Sequence, residues 1–173
     1  MMVSLDGFIE GENNDIDWHV FDDEMGEYML NFMDTVDTFI YGRRSYELML
    51  EYWPKAEGHF ADVMNETPKI VFSKTLDKVI WNSRLVNDNV WEEMNAEKRK
   101  PGKDMVLFAG ADLLTTFINL DLVDEYRLIV NPVVLGAGTP YFKDLHDQLN
   151  LKLTDSKTFT CGNVVLCYEP IRN

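Results

Sequence analysis

The apolar run Thr38-Phe39-Ile40-Tyr41 passes through Gly42 into a helical pattern from Tyr46 to Tyr52, and a second apolar run follows at Lys69–Phe72. Runs without polar alternation read as strands buried on both faces. Two such strands joined by a helix are connected in parallel, through a right-handed crossover. A parallel sheet of this kind needs helices to cover it, and the chain supplies them. From Asp22 to Val36, Met25, Met29, Phe32, Met33 and Val36 recur at helical spacing, with Asp22 and Asp23 in the N-terminal turn that favours acids.

The pattern continues on both sides. Val3 to Ile9 reads as a first strand, and Pro54 stops the helix that begins at Tyr46. Residues 78–87 read as short strand material, and 89–100 as a helix ended by Pro101-Gly102. Met105–Phe108 is strand again, and Leu113, Leu114, Phe117 and Ile118 mark one face of the next helix, so 105–130 repeats the strand, helix, strand order. The last third alternates at Tyr126-Leu128-Val130 and Leu149-Leu151-Leu153, and a hairpin closes over Gly162-Asn163. That register places Cys161 opposite Val164 and Cys167 opposite Thr158, so the two cysteines read as reduced packing residues. The expected class is a mixed, mostly parallel α/β sheet flanked by helices with an antiparallel C-terminal hairpin. One domain, 1–173, is expected. Because the first strand begins almost at Met1, a true start upstream is left open.

Charge narrows the function. With 16 Lys+Arg against 30 Asp+Glu, the net charge of −14 repels phosphate backbones and anionic lipid, and no basic run exceeds Lys98-Arg99-Lys100. Nucleic acid and membrane are not expected as partners. No signal-peptide pattern and no 18-residue apolar stretch occurs, which points to a cytoplasmic protein. His19, His59 and His146 fit no paired-ligand spacing, and the acids at 10, 12, 15 and 17 lack the order of a calcium loop, so no metal site is expected.

Three strand ends lead into groups suited to anions. At Gly42-Arg43-Arg44-Ser45, two arginines open a helix, where they oppose the positive end of the macrodipole unless an anion lies there or nearby carboxylates pair with them. Phe72-Ser73-Lys74 brings a hydroxyl and an ammonium out of a buried strand. Ala109-Gly110-Ala111-Asp112-Leu113 gives small residues between strand and helix. Ligands of open α/β sheets bind at the carboxyl ends of parallel strands, and the three together suggest a dinucleotide with an extra phosphate.

The blocks "SLDGFIEGENNDIDW", "YGRRSYE", "VFSKTL", "LFAGADLL" and "LVDEYRLIVNPVVLGAGTPYF" resemble, in order, the dihydrofolate-reductase-like superfamily, and within it the group named after the C-terminal reductase domain of riboflavin biosynthesis. The resemblance implies a reductase that uses NADPH and a small-molecule substrate, and homodimers as in close relatives. It puts Gly42, Arg43, Arg44 and Ser45 at the pyrophosphate and adenosine side. It puts Ser73 and Lys74 at the ribose 2′-phosphate, Gly110, Ala111, Asp112 and Leu113 at the second pyrophosphate turn, and Val3, Ile9 and Gly11 beside the nicotinamide.

For the chemistry, Glu27 is the nearest match to the carboxylate that faces the pterin in dihydrofolate reductase, and Asp6 orients substrate or holds the loop that follows. Trp18 is a candidate wall of the substrate pocket, and Tyr126 and Tyr141 are candidates for hydrogen bonding or proton relay. The expected activity is hydride transfer to a pyrimidine- or pterin-like compound, as in 5-amino-6-(5-phosphoribosylamino)uracil reductase. Dihydrofolate reductase activity and a non-catalytic NADPH-binding or regulatory module are the alternatives.

Overall fold

The computed structural model describes residues 1–172. It contains two compact units: Tyr28–Leu113, called the inner unit, and Met1–Glu27 with the segment from Leu114 onward, called the terminal unit. The elements, in chain order, are β1 (Met2–Val3), β2 (Phe8–Glu10), α1 (Asp23–Met33), β3 (Val36–Gly42), α2 (Arg43–Tyr52), α3 (His59–Glu66), β4 (Lys69–Phe72), β5 (Ser83–Val86), α4 (Val90–Lys98), β6 (Asp104–Phe108), α5 (Ala111–Asn119), β7 (Tyr126–Val130), β8 (Thr139–Pro140), β9 (Leu151–Thr158) and β10 (Val164–Pro170). No helix among the described residues is long and apolar enough to cross a membrane.

The inner unit is a four-stranded parallel sheet in the order β5-β4-β3-β6. Its core gathers on the face where Phe39, Tyr41 and Val71 point, packed with Met33, Tyr46 from α2 and Met64 from α3. Phe39 and Tyr41 are fully buried, each contributing about 1.5–3 kcal/mol from apolar burial. The Tyr41 hydroxyl, however, is buried without a hydrogen-bond partner, and burial holds its pKa well above the ordinary phenol value. α2 ends at Tyr52, as expected, and Pro54 lies in a 3₁₀ turn, Trp53–Lys55, that follows directly.

All four residues of β4 are buried, including Lys69 at 1% exposure. Its ammonium donates to the carbonyls of Asn65 (3.2 Å) and Thr67 (2.5 Å), at the C-terminal end of α3, and lies 4.2 Å from the centre of the Trp81 ring. The carbonyl end of a helix is the negative end of its dipole, so it can hold a cation that faces no carboxylate. Burial nevertheless pushes the Lys69 pKa down to about 8.

In the terminal unit, β1 pairs in parallel with β7, β7 pairs antiparallel with β10, and β9 forms the other neighbour of β10. A separate two-stranded ladder joins β2 to β8. At the start of α1, Asp22 caps the helix by accepting the Met25 N–H at 2.9 Å, while Glu24 accepts from the Thr160 N–H and hydroxyl at 3.1 and 2.8 Å.

The mixed α/β class matches the pattern read in the sequence, and several details differ. The expected strand Val3 to Ile9 is two strands, because Ser4 turns the chain: its hydroxyl accepts the Phe8 N–H at 2.9 Å and Gly7 takes φ +87°. The first helix stops at Met33, and Val36 opens β3 instead. The second helix begins at Arg43, not Tyr46. The strand, helix, strand order of 105–130 is present as β6, α5 and β7, with β6 paired to β3 and β7 to β1. The C-terminal hairpin turns through 159–163, which sets Thr158 opposite Val164 and Cys167 opposite Asp155. Neither cysteine is in a disulfide, Cys167 being buried and Cys161 half-buried.

Lys69 makes a sign-definite prediction. With its folded pKa below the ordinary 10.5, the unfolded chain binds more protons between about pH 8 and 10, so this residue makes stability rise with pH in that window. Urea midpoints measured from pH 7 to 10 for the wild type and Lys69→Met should diverge through it, the variant lacking the rise. Parallel curves would contradict this account.

Candidate functional site

In the inner unit, register decides which loops meet. Gly42 pairs with Phe72 and Tyr41 with Phe108, so the segments leaving β3, β4 and β6 emerge side by side at the carboxyl edge, with adjacent strands about 4.8 Å apart. Gly42 is the N-cap of α2, in extended conformation (φ −82°, ψ 166°), and gives no side-chain cap; the first turn of α2 has no acid. The first-turn backbone donors therefore have no side-chain cap, and the exposed Arg43 and Arg44 lie in the same turn. The Ser45 hydroxyl accepts the Gly110 N–H at 3.1 Å, tying this turn to the one after β6.

The other two segments differ in what they offer. Ser73 is buried, and its hydroxyl accepts the N–H groups of Thr75 (3.2 Å) and Leu76 (3.1 Å), while its own carbonyl accepts from Asn87 at 3.0 Å. It shapes the turn, and the exposed Lys74 is the member of the pair that presents charge. After β6, the methyl of Ala109 is buried, and a Cβ on Gly110 would meet nothing within 4 Å, so the turn is open on that side. Ala111 is buried, Leu113 lies 3.6 Å from where a Gly42 Cβ would be, and Asp112 is exposed in the first turn of α5. With an acid in one helix start and two arginines in the other, α2 is the better anion site.

In the terminal unit, Asp6 is occupied by structure. Its carboxylate accepts from the Ser4 hydroxyl (2.7 Å) and from the N–H groups of Leu135 (3.1 Å) and Gly136 (2.8 Å). These bonds, the Ser4 one foremost, hold its pKa below the usual carboxylate value. Val3 and Ile9 are buried on β1 and β2, and Gly11 is buried in a turn where its N–H donates to the Asp15 carbonyl at 3.0 Å. Trp18 is half-buried, donates to the Asp15 carbonyl at 3.2 Å, and meets the His19 ring edge to face at 4.4 Å.

Tyr126 stands apart from these residues. β1 and β7 run parallel with Val3 beside Val130, so Asp6 and Asn131 continue from one end of the ladder while Tyr126 starts β7 at the other, about 13 Å back. It is buried at 3% exposure, and burial pushes its pKa up to about 12. Tyr141 is also buried, with its pKa raised by burial. Glu27 is exposed on α1, and its side chain makes no hydrogen bond or ion pair among the described residues.

Two residues of consequence were not read from the sequence. Asn131 and Asn163 are both fully buried, and together they hold Val20: its N–H donates to the Asn131 side-chain oxygen at 2.9 Å, and its carbonyl accepts from the Asn163 amide at 2.7 Å. Side-chain amides thus replace a strand partner for the segment that carries Trp18 and His19. The available signal was the polar Asn131 at the end of the apolar run Leu128-Ile129-Val130; Asn163 looks like an ordinary turn residue.

The RibD C-terminal domain family model matches residues 1–165. Protein YyaP of Bacillus subtilis is 43% identical over 98% of this chain and 92% of its own. Among solved structures, a protein from Shewanella sp. PV-4 named for riboflavin biosynthesis superposes with a TM-score of 0.80 at 21% identity, over 99% of this chain and 97% of that one. Dihydrofolate reductase from Enterococcus faecalis, in complex with NADP(H), superposes with a TM-score of 0.67 at 15% identity, over 98% and 92%. The fold is dihydrofolate-reductase-like.

Within the terminal unit, Gly138 fixes the β2–β8 ladder. It has φ +143°, and a Cβ there would fall onto the carbonyl oxygen of Glu10, a backbone atom that cannot step aside. Gly11 is more forgiving, because its Cβ would meet only the flexible Asp15 carboxylate. Gly138→Ala should lower stability by about 1–3 kcal/mol in urea unfolding, and Gly11→Ala by less. Equal losses would show that the ladder does not depend on the close approach.

Proposed function

We propose that this chain, which belongs to the RibD C-terminal domain family, is an NADPH-dependent reductase of a small pyrimidine- or pterin-like heterocycle. The observation that carries the reading is the start of α2. It is an uncapped, acid-free helix start bearing Arg43 and Arg44, at the carboxyl edge of a parallel sheet, in a chain of net charge −14. The family match and the NADP(H) complex of the Enterococcus dihydrofolate reductase support the choice of cofactor.

The residues present fit such a group. The first-turn N–H groups of α2 and the two guanidinium forks suit the pyrophosphate, the open backbone at Gly110 lets it approach, and Lys74 suits the 2′-phosphate. When bound, the cofactor supplies the hydride. Ser73 and Ser45 act by holding their turns in shape. In the terminal unit, Trp18 is the proposed substrate wall and Asp6 a positioning residue that fixes the loop at 135–136. Because Asp6 is committed to that loop and Glu27 stands in solvent, a second reading is also favoured: a protein that binds NADPH without turning over a substrate.

Tryptophan fluorescence titrations test the reading, since Trp53, Trp81 and Trp91 all belong to the inner unit. Removing two charge-assisted contacts in an Arg43→Ala, Arg44→Ala double variant should weaken NADPH binding by about 2–5 kcal/mol. Lys74→Ala should bring the affinities for NADPH and NADH together. If the double variant bound NADPH as the wild type does, the proposed clamp would be wrong. NADPH oxidation with a panel of pterins and aminopyrimidines then separates the enzyme from the binding module.

A further inference from the structure

The proposed cofactor groups occupy one edge of the inner unit's sheet, yet the basic residues gather at two. Arg43, Arg44 and Lys74 lie at the carboxyl edge. Lys69, Arg84, Lys98, Arg99, Lys100 and Lys103 lie at the amino edge, where β4, β5 and β6 begin and α4 ends, so six of the chain's 16 basic residues are there. A cavity of about 430 Å³ opens at this amino edge, a size within the range of small-molecule sites. Pro68, Ile70, Ile80 and Trp81 supply its apolar wall.

Its charged lining is Lys69, Arg84, Lys100 and a single acid, Glu97. One oxygen of Glu97 receives both Arg84 (2.5 Å) and Lys100 (2.6 Å), and Glu93 takes the other side of Arg84 at 2.6 Å. Arg84 and Lys100 are thus paired with two carboxylates at the cavity, and Lys69, held by helix carbonyls, adds a third positive charge to its lining.

The lip of the cavity is strained. Trp81 and Asn82 are consecutive residues with φ +67° and +51°, a conformation that a bulky aromatic rarely adopts. The surrounding groups hold it there. The Tyr46 hydroxyl accepts the Ile80 N–H and donates to the Ile80 carbonyl, both at 2.9 Å; the Trp81 indole donates to the Asn65 side chain at 2.6 Å; the Asn82 amide donates to the Glu66 carbonyl at 2.7 Å. This leaves Ile80 62% exposed at the rim. Strain fastened from several sides is a mark of ligand clamps.

We infer that this cavity is a second binding site, for a small organic anion whose carboxylate or phosphate head meets Lys100 and Arg84 while its apolar body covers Ile80 and Trp81. It lies at the opposite end of the parallel strands from the proposed cofactor clamp and does not depend on that reading.

The test titrates the full chain with benzoate, phenyl phosphate and the neutral benzamide, following tryptophan fluorescence. At least one of the two anions should give a saturable change, and which one does identifies the head group preferred. Benzamide should bind about tenfold more weakly, and Lys100→Ala should weaken the anion about tenfold with no change in Tm, because Lys100 is a surface residue. Arg84→Ala provides a second check. No saturable change with either anion, equal binding of benzamide, or undiminished affinity in both variants would each overturn the inference.

Discussion

The parallel register of β3 with β4 and β6 is the constraint on which the inner unit depends. Because Gly42 pairs with Phe72 and Tyr41 with Phe108, all three strands end at one level, and their following segments emerge together. A register slip of one residue would reverse the faces, expelling Phe39 and Tyr41 from the core, so burial and loop placement are specified by the same pairing. The link from packing to function is direct here. The residues that fill the core also place the start of α2 beside the turns after β4 and β6.

Electrostatics add a second layer. The chain has no lysine or arginine before Arg43, although eleven acids precede it. Against that background a pair of arginines at an uncapped helix start is costly unless something negative shares the place. Lys69 illustrates the other way to keep a cation in the inner unit: helix carbonyls and an aromatic face receive it in place of a carboxylate. The second solution leaves its trace as a lowered pKa.

Much of this was legible in the residues. The parallel crossover followed from two apolar runs and the helix between them, and the run Lys69–Phe72 coincides with β4 to the residue. What escaped were features set by side chains reaching back onto the backbone. Ser4 breaks the first strand through its hydroxyl, which neither apolar content nor periodicity reports. The hairpin register depended on whether two or five residues formed the turn, and the burial of Phe159 and Asn163 favours the longer one. For the candidate site, the three loops were legible as strand ends. Less legible were the hydroxyl of Ser73, engaged by its own turn, and, outside these loops, the position of Tyr126 at the far end of its ladder and the asparagines that hold Val20, which carried almost no local signal.

The most direct test of the central claim is a two-dimensional amide NMR spectrum of the ¹⁵N-labelled protein recorded during addition of NADPH. The account predicts that, among inner-unit amides, the largest shifts fall on Arg43 to Ser45, on Lys74 and Thr75, and on Gly110 to Leu113. Saturable binding that leaves these amides unmoved, or no binding at all, would contradict it.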